Sequence, residues 1–199
     1  LKVFDDAVAF RIVVPGEENV SRVPDEMTLF RIPEKSTVWF HDLRMHYEGV
    51  HSEKLIDTIP ADQWAAPPLT FRLPDNEGYA AITEANLVNY AGMALQSDGK
   101  RGFRLLLGHS HPVSYPYELR YKKEDIERVT KIAEVKGTIT TPWRVIIAGK
   151  DLNTLVNCDA TYNLCPSPDK SLFPEGAATS WVKPGRAVWR YLDGGGDHL

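Results

Sequence analysis

The sequence predicts an all-β fold, an antiparallel sandwich with one or two short helices. Alternating or β-branched runs of five to eight residues recur along the chain, each closed by Pro, Gly, Asn or Asp. Helical periodicity, by contrast, is convincing in only two places. The chain has 199 residues, 43% hydrophobic and 25% charged, which suits a single core-forming domain or one large piece of a longer protein.

The strand-like runs follow in order. Residues 8–14 are stopped by Pro15-Gly16, 27–32 by Pro33, and 37–40 precede a polar stretch. Residues 69–73 end at Pro74, 79–84 form an apolar run that closes on a carboxylate, and 93–96 end at Ser97-Asp98-Gly99. Residues 103–107, 137–140, 143–148 and 187–191 complete the set, Val145-Ile146-Ile147-Ala148 being the most apolar. A first helix is expected over 125–134, where Ile126, Val129, Ile132 and Ala133 form one stripe. A second is expected over 152–156, opened by Asp151 as N-cap after Gly149-Lys150. Residues 41–68 read as a long polar connection, and Gly194-Gly195-Gly196 as an exit from the domain.

Charge and apolar content exclude several function classes. Lys and Arg number 23 against 27 Asp and Glu, and no basic run exceeds Lys122-Lys123, so no basic face for nucleic-acid phosphates is expected. The apolar runs are strand-sized, far short of the ~20 residues of a membrane-spanning helix, and no membrane span is expected. Cys158 and Cys165 match neither a zinc nor a redox pattern; they could bridge a short loop in an oxidising compartment, but free thiols are the favoured expectation. There is no Gly-x-Ser-x-Gly elbow, P-loop, dinucleotide fingerprint or His-Glu-x-x-His helix.

The remaining chemistry-bearing residues have plain readings beside them. His109-Ser110-His111 has two imidazoles at strand spacing but no third ligand close in sequence, so solvated loop histidines are expected. His41, His46 and His51 recur at a spacing that fits neither a helix face nor a strand face. Gly78 and Glu84 occupy the sixth and twelfth places of a calcium loop, but Leu73 stands where its first carboxylate belongs, which rules out a self-contained loop. Glu84 is then either the solvated tip of an apolar strand or a functional carboxylate; spacing alone leaves both open.

Four stretches together resemble the N-terminal region of glycoside hydrolase family 97. They are Val3-Phe4-Asp5-Asp6-Ala7-Val8-Ala9-Phe10-Arg11; Ile82-Thr83-Glu84-Ala85-Asn86-Leu87 with Tyr90-Ala91-Gly92-Met93; Thr141-Pro142-Trp143-Arg144-Val145-Ile146; and Thr179-Ser180-Trp181-Val182-Lys183-Pro184-Gly185-Arg186. The resemblance implies a β-super-sandwich of the galactose-mutarotase-like kind, incomplete at its N-terminus. Residues 1–190 would form this partial domain and 191–199 would begin the connection to a catalytic (β/α)8 barrel absent from the chain. It implies further that the whole enzyme is an exo-glycosidase acting on α-glucosidic or α-galactosidic linkages, with its catalytic carboxylates on the barrel, so that this chain alone is inactive. Glu84 stands where the family's α-glucosidase branch places an N-terminal ligand of a calcium ion shared with the barrel. The implied partners are an α-linked oligosaccharide and the chain's own barrel, and the implied location is periplasmic or secreted. The alternative is a non-catalytic sandwich that binds carbohydrate through an aromatic face.

Overall fold

The computed structural model describes residues 1–42, 50–107, 133–174, 176, 183, 185 and 186. Side chains on a strand alternate between the two faces of its sheet, so each apolar alternation in the sequence marks a surface that must be covered. The strands that result are β1 (Lys2–Val3), β2 (Ala7–Phe10), β3 (Val13–Val14), β4 (Ser21–Arg22), β5 (Leu29–Arg31), β6 (Thr37–Phe40), β7 (Ser52–Leu55) and β8 (Trp64–Ala65). They continue as β9 (Leu69–Arg72), β10 (Tyr79–Ala85), β11 (Ala94–Ser97), β12 (Gly102–Leu106), β13 (Val135–Lys136), β14 (Ile139–Thr140) and β15 (Trp143–Gly149). Short helices α1 (Leu152–Asn157) and α2 (Ala160–Asn163) follow, and Ile56–Thr58 and Pro74–Asn76 form 3-10 turns.

A seven-stranded sheet has the order β1-β2-β15-β10-β9-β6-β7, and a four-stranded sheet the order β5-β12-β11-β8. Two small ribbons, β13-β4 and β14-β3, complete the described pairings, all of them antiparallel. One core cluster draws Val38, Phe40, Leu69, Phe71, Ala80 and Ile82 from the large sheet and Phe30, Ala65, Leu95, Phe103 and Leu105 from the small one. The two sheets therefore pack face to face as a sandwich. Each fully buried Phe or Leu of that layer is worth about 1.5–3 kcal/mol. The other face of the large sheet is covered by the helices: Ala7, Ala9, Ala85, Trp143, Val145 and Ile147 pack with Cys158, Ala160 and Leu164. The β15 residues between these, Arg144 and Ile146, consequently face the inter-sheet side.

The expected antiparallel sandwich is thus present, with local differences that have physical causes. The run expected over 8–14 divides into β2 and β3. Two residues separate Phe10 from Val13, whereas three separate their partners Arg144 and Thr140, so the opposite strand carries one extra residue. This is a bulge at Thr141-Pro142, where proline has no N–H for the ladder; the Thr141 hydroxyl accepts from the Ile12 N–H at 3.0 Å instead. Strand β7 lies inside the stretch expected to be irregular. It is an edge strand, and its Ser-Glu-Lys-Leu sequence has the charge that edges carry rather than apolar alternation. Helix α1 forms where expected, with Asp151 accepting from the Thr154 N–H at 3.0 Å. The helix expected over 125–134 lies outside the described residues as far as 132, and the strand expected over 187–191 lies outside them entirely.

The chain divides into two compact units, residues 1–165 and 166–199. In the second, Asp169 organises a turn by accepting from the Ser171 N–H at 2.8 Å. Among the described residues no helix is long and apolar enough to cross a membrane.

The β10-β15 ladder begins at the pair Tyr79 and Gly149, and the residue before it, Gly78, has φ +141°. A Cβ at Gly78 would lie 2.4 Å from the Gly149 carbonyl oxygen. Gly78→Ala is therefore expected to lower stability by about 1–3 kcal/mol. Denaturant unfolding measures this, and a midpoint equal to wild type would show that the ladder tolerates a side chain there.

Candidate functional site

Strand β10 outruns its neighbour β9. Its last rung with β9 joins Ile82 to Leu69, so residues 83–85 pair with β15 alone. In that overhang Glu84 stands directly opposite Arg144, and Arg144 stands opposite Phe10 on β2. Cross-strand partners share a face, so Phe10, Arg144 and Glu84 form one row on the inter-sheet side.

Arg144 is completely buried, and its guanidinium binds two carboxylates. Nη1 donates to Glu84 Oε2 at 2.5 Å. Nε donates to Glu26 Oε2 at 3.1 Å, and Nη2 donates to Glu26 Oε1. Glu26 thus receives the two-pronged side of the guanidinium, a planar arrangement that lysine has no means to copy.

The chain after β10 closes the arrangement. Asn86 and Asn89 adopt left-handed backbone conformations, with φ of 57° and 50°, which asparagine tolerates better than most residues. The chain reverses there, and the Met93 N–H donates to Glu84 Oε1 at 3.1 Å. The Tyr90 hydroxyl donates to Glu26 Oε1 at 3.2 Å. A Cβ on Gly92 would come within 3.5 Å of Glu84 Oε1, so this segment lies directly against the carboxylate.

Electrostatics separate the two acids. The Glu26 side chain is 1% exposed and that of Glu84 15% exposed. Burial pushes the Glu84 carboxyl above its ordinary value; the Met93 N–H and the Arg144 charge pull it back in part, and Glu26 adds to the rise. The Tyr90 phenol is raised as well, chiefly by burial and then by the charge of Glu26, so it remains a protonated donor. A carboxylate oxygen has two acceptor positions. Among the described residues each Glu84 oxygen accepts one hydrogen bond, and a carboxylate oxygen so engaged has a second acceptor position for a donor or cation.

This chemistry fits one ligand of a shared calcium site, since calcium is bound by hard oxygens that separate elements can supply. It does not fit a site complete in itself: among the described residues no group of three or more His, Cys, Asp or Glu could hold a metal ion.

The other sequence candidates lie elsewhere. His41 and His51 flank the paired Phe40 and Ser52 of the β6-β7 ladder, and their rings meet edge to face with centroids 5.2 Å apart. Their spacing is thus the two arms of a hairpin, a pattern that face periodicity does not register. His46, His109 and His111 lie outside the described residues. Cys158 is buried and Cys165 exposed, both as free thiols. Trp143 is buried, with the Arg11 guanidinium 4.6 Å from its ring centroid, while Trp39 and Trp64 are half-buried; among the described residues no exposed tryptophan platform forms. Sequence reasoning assigned no role to Arg144, Glu26 or Tyr90. The available signal was a lone arginine inside the apolar run Trp143-Arg144-Val145-Ile146-Ile147, a charge that burial obliges to find partners.

A family model described as Glycosyl-hydrolase 97 N-terminal matches residues 1–166. A probable retaining alpha-galactosidase of Streptomyces bingchenggensis (strain BCW-1) is 28% identical over 197 residues, which are 98% of this chain and 26% of that protein. A glycoside hydrolase family 97 enzyme from Pseudoalteromonas sp. strain K8, solved with acarbose, superposes with a TM-score of 0.68 at 28% identity, over 92% of this chain and 24% of the other. A beta-arabinopyranosidase gives a TM-score of 0.56 at 20% identity, over 79% of this chain and 26% of the other, a likeness of fold alone. The chain spans about a quarter of the length of these relatives.

The raised Glu84 carboxyl has a consequence for stability against pH. The folded state holds this proton more tightly than the unfolded chain, whose ordinary value is 4.5. The contribution of Glu84 is therefore fully present below about pH 4.5 and declines as pH rises through the higher folded value. Unfolding of wild type and Glu84→Gln across pH 4–8 should show a stability difference that shifts against wild type as pH rises. A pH-independent difference would show that Glu84 is unperturbed.

Proposed function

The chain belongs to glycoside hydrolase family 97, as its N-terminal domain, and on that premise we propose that it is the β-sandwich of a longer exo-glycosidase that hydrolyses α-glucosidic or α-galactosidic linkages. The sandwich shapes the rim of the active site and supplies Glu84 as a calcium ligand to a (β/α)8 barrel. The observation that carries this reading is the anchored Glu84 carboxylate, fixed by Arg144 and the Met93 N–H yet still open at its edge. Beside it Leu87 and Val88 are 47% and 63% exposed, apolar surface that suits a substrate rim. The named activity of the Streptomyces relative supports an α-galactoside, and the binding of acarbose and of panose by the Pseudoalteromonas enzyme supports an oligosaccharide substrate.

In this arrangement each residue of the chain has a task. Glu84 offers one hard oxygen to the ion, Arg144 and Met93 keep that carboxylate from rotating, and the 86–93 segment borders the place where sugar would sit. Bound calcium supplies positive charge that stabilises negative charge developing on oxygen. Proton transfer belongs to a pair of carboxylates on the barrel. A periplasmic or secreted location is part of the same proposal, in keeping with the resemblance to exported family members.

The test uses the longer protein that carries the barrel. Glu84→Gln keeps the shape but removes a charged ligand, so calcium affinity should fall by about an order of magnitude or more. Turnover should fall with it and recover in part at millimolar calcium. The chain alone should hydrolyse neither p-nitrophenyl α-glucoside nor p-nitrophenyl α-galactoside. Wild-type calcium affinity and turnover in Glu84→Gln would return this residue to a purely structural role, and turnover by the chain alone would move the chemistry off the barrel.

A further inference from the structure

Glu26 touches nothing outside the protein. Its side chain is 1% exposed, Oε1 accepts from Arg144 Nη2 and the Tyr90 hydroxyl, and Oε2 accepts from Arg144 Nε. It therefore reaches neither a metal ion nor a sugar. Yet one guanidinium faces two carboxylates here, which leaves one negative charge in excess beside Phe10, Ile82 and Ile146. As a device for stability alone this is poor, because apolar residues of similar volume commonly do as well as a buried ionic triad or better. The excess charge has an outlet at Glu84, whose carboxylate is 15% exposed.

We propose that Glu26 is a positioning residue for the metal ligand Glu84, acting through Arg144; the inference rests on the calcium reading above. Two effects combine. By occupying the Nε and Nη2 side of Arg144, Glu26 fixes the plane of the guanidinium, and Nη1 is thereby aimed at Glu84 Oε2. By pairing with Arg144, Glu26 also offsets the guanidinium charge that would otherwise repel an incoming cation. Tyr90, donating to Glu26 Oε1, holds the far end of the chain of contacts.

The experiment titrates calcium chloride into the metal-free, barrel-bearing protein by calorimetry. Groups that orient a metal ligand without touching the metal typically contribute 10–100-fold to affinity. Glu26→Gln should therefore weaken calcium binding at least tenfold, and Glu26→Asp, which restores the charge, should recover part of the loss. Tyr90→Phe removes one hydroxyl from a half-buried position and should weaken binding less, but by more than twofold. Should Glu26→Gln fail to fold, Tyr90→Phe carries the test. Calcium affinity within twofold of wild type in the folded variants, while Glu84→Gln loses binding, would overturn the positioning role alone. Unchanged affinity in Glu84→Gln itself would overturn the calcium reading and this inference with it.

Discussion

The guanidinium of Arg144 is the point through which the candidate site is connected. It sits fully buried on the inter-sheet face of β15 and joins two otherwise separate pieces of chain: the 25–26 segment before β5, and the overhanging end of β10 with the 86–93 reversal that follows it. An unpaired guanidinium at that depth would be prohibitively costly, so these segments are obliged to bring oxygen to it. Two carboxylates meet the requirement, with the Tyr90 phenol donating in turn to Glu26, and the Glu84 carboxylate keeps an exposed edge.

The sandwich delivers this geometry through the two-residue period of its strands. On β15 the helix-facing residues Trp143, Val145 and Ile147 lock the strand against Cys158, Ala160 and Leu164, which fixes the direction of Arg144 on the opposite face. On β10 the inter-sheet residues Ala80 and Ile82 are core, so Glu84, two residues further on, points the same way but beyond the reach of β9. A one-residue slip in the β10-β15 register would turn Glu84 toward the helices and leave Arg144 facing an alanine or threonine. Register, rather than any local motif, is what turns a glutamate at a strand end into a held carboxylate.

This explains which parts were legible in the sequence. Strands with apolar alternation, such as β9, β10 and β15, announce themselves, and Asp151 marks the start of α1. The edge strand β7, with Glu53 and Lys54, carries the signature of solvent and reads as loop. The bulge at Thr141-Pro142 depends on pairing with Ile12, 129 residues away in the chain, which no local window contains. Glu84 stood out as a carboxylate ending an apolar run and through family resemblance. Its partners did not, because Glu26 lies in a Pro-Asp-Glu-Met segment that looks like a surface turn, and its contact with Arg144 spans 118 residues.

Central to this account is that Arg144 binds both acids at once and that each acid needs it. Denaturant unfolding of Arg144→Met, compared with a triple variant that also carries Glu26→Leu and Glu84→Leu, tests this most directly. Removing the guanidinium alone strands Glu26 in the core and is predicted to cost about 3–5 kcal/mol, whereas replacing all three groups should recover most of that loss. Arg144→Met within about 0.5 kcal/mol of wild type, the range of an ordinary surface change, would contradict the account.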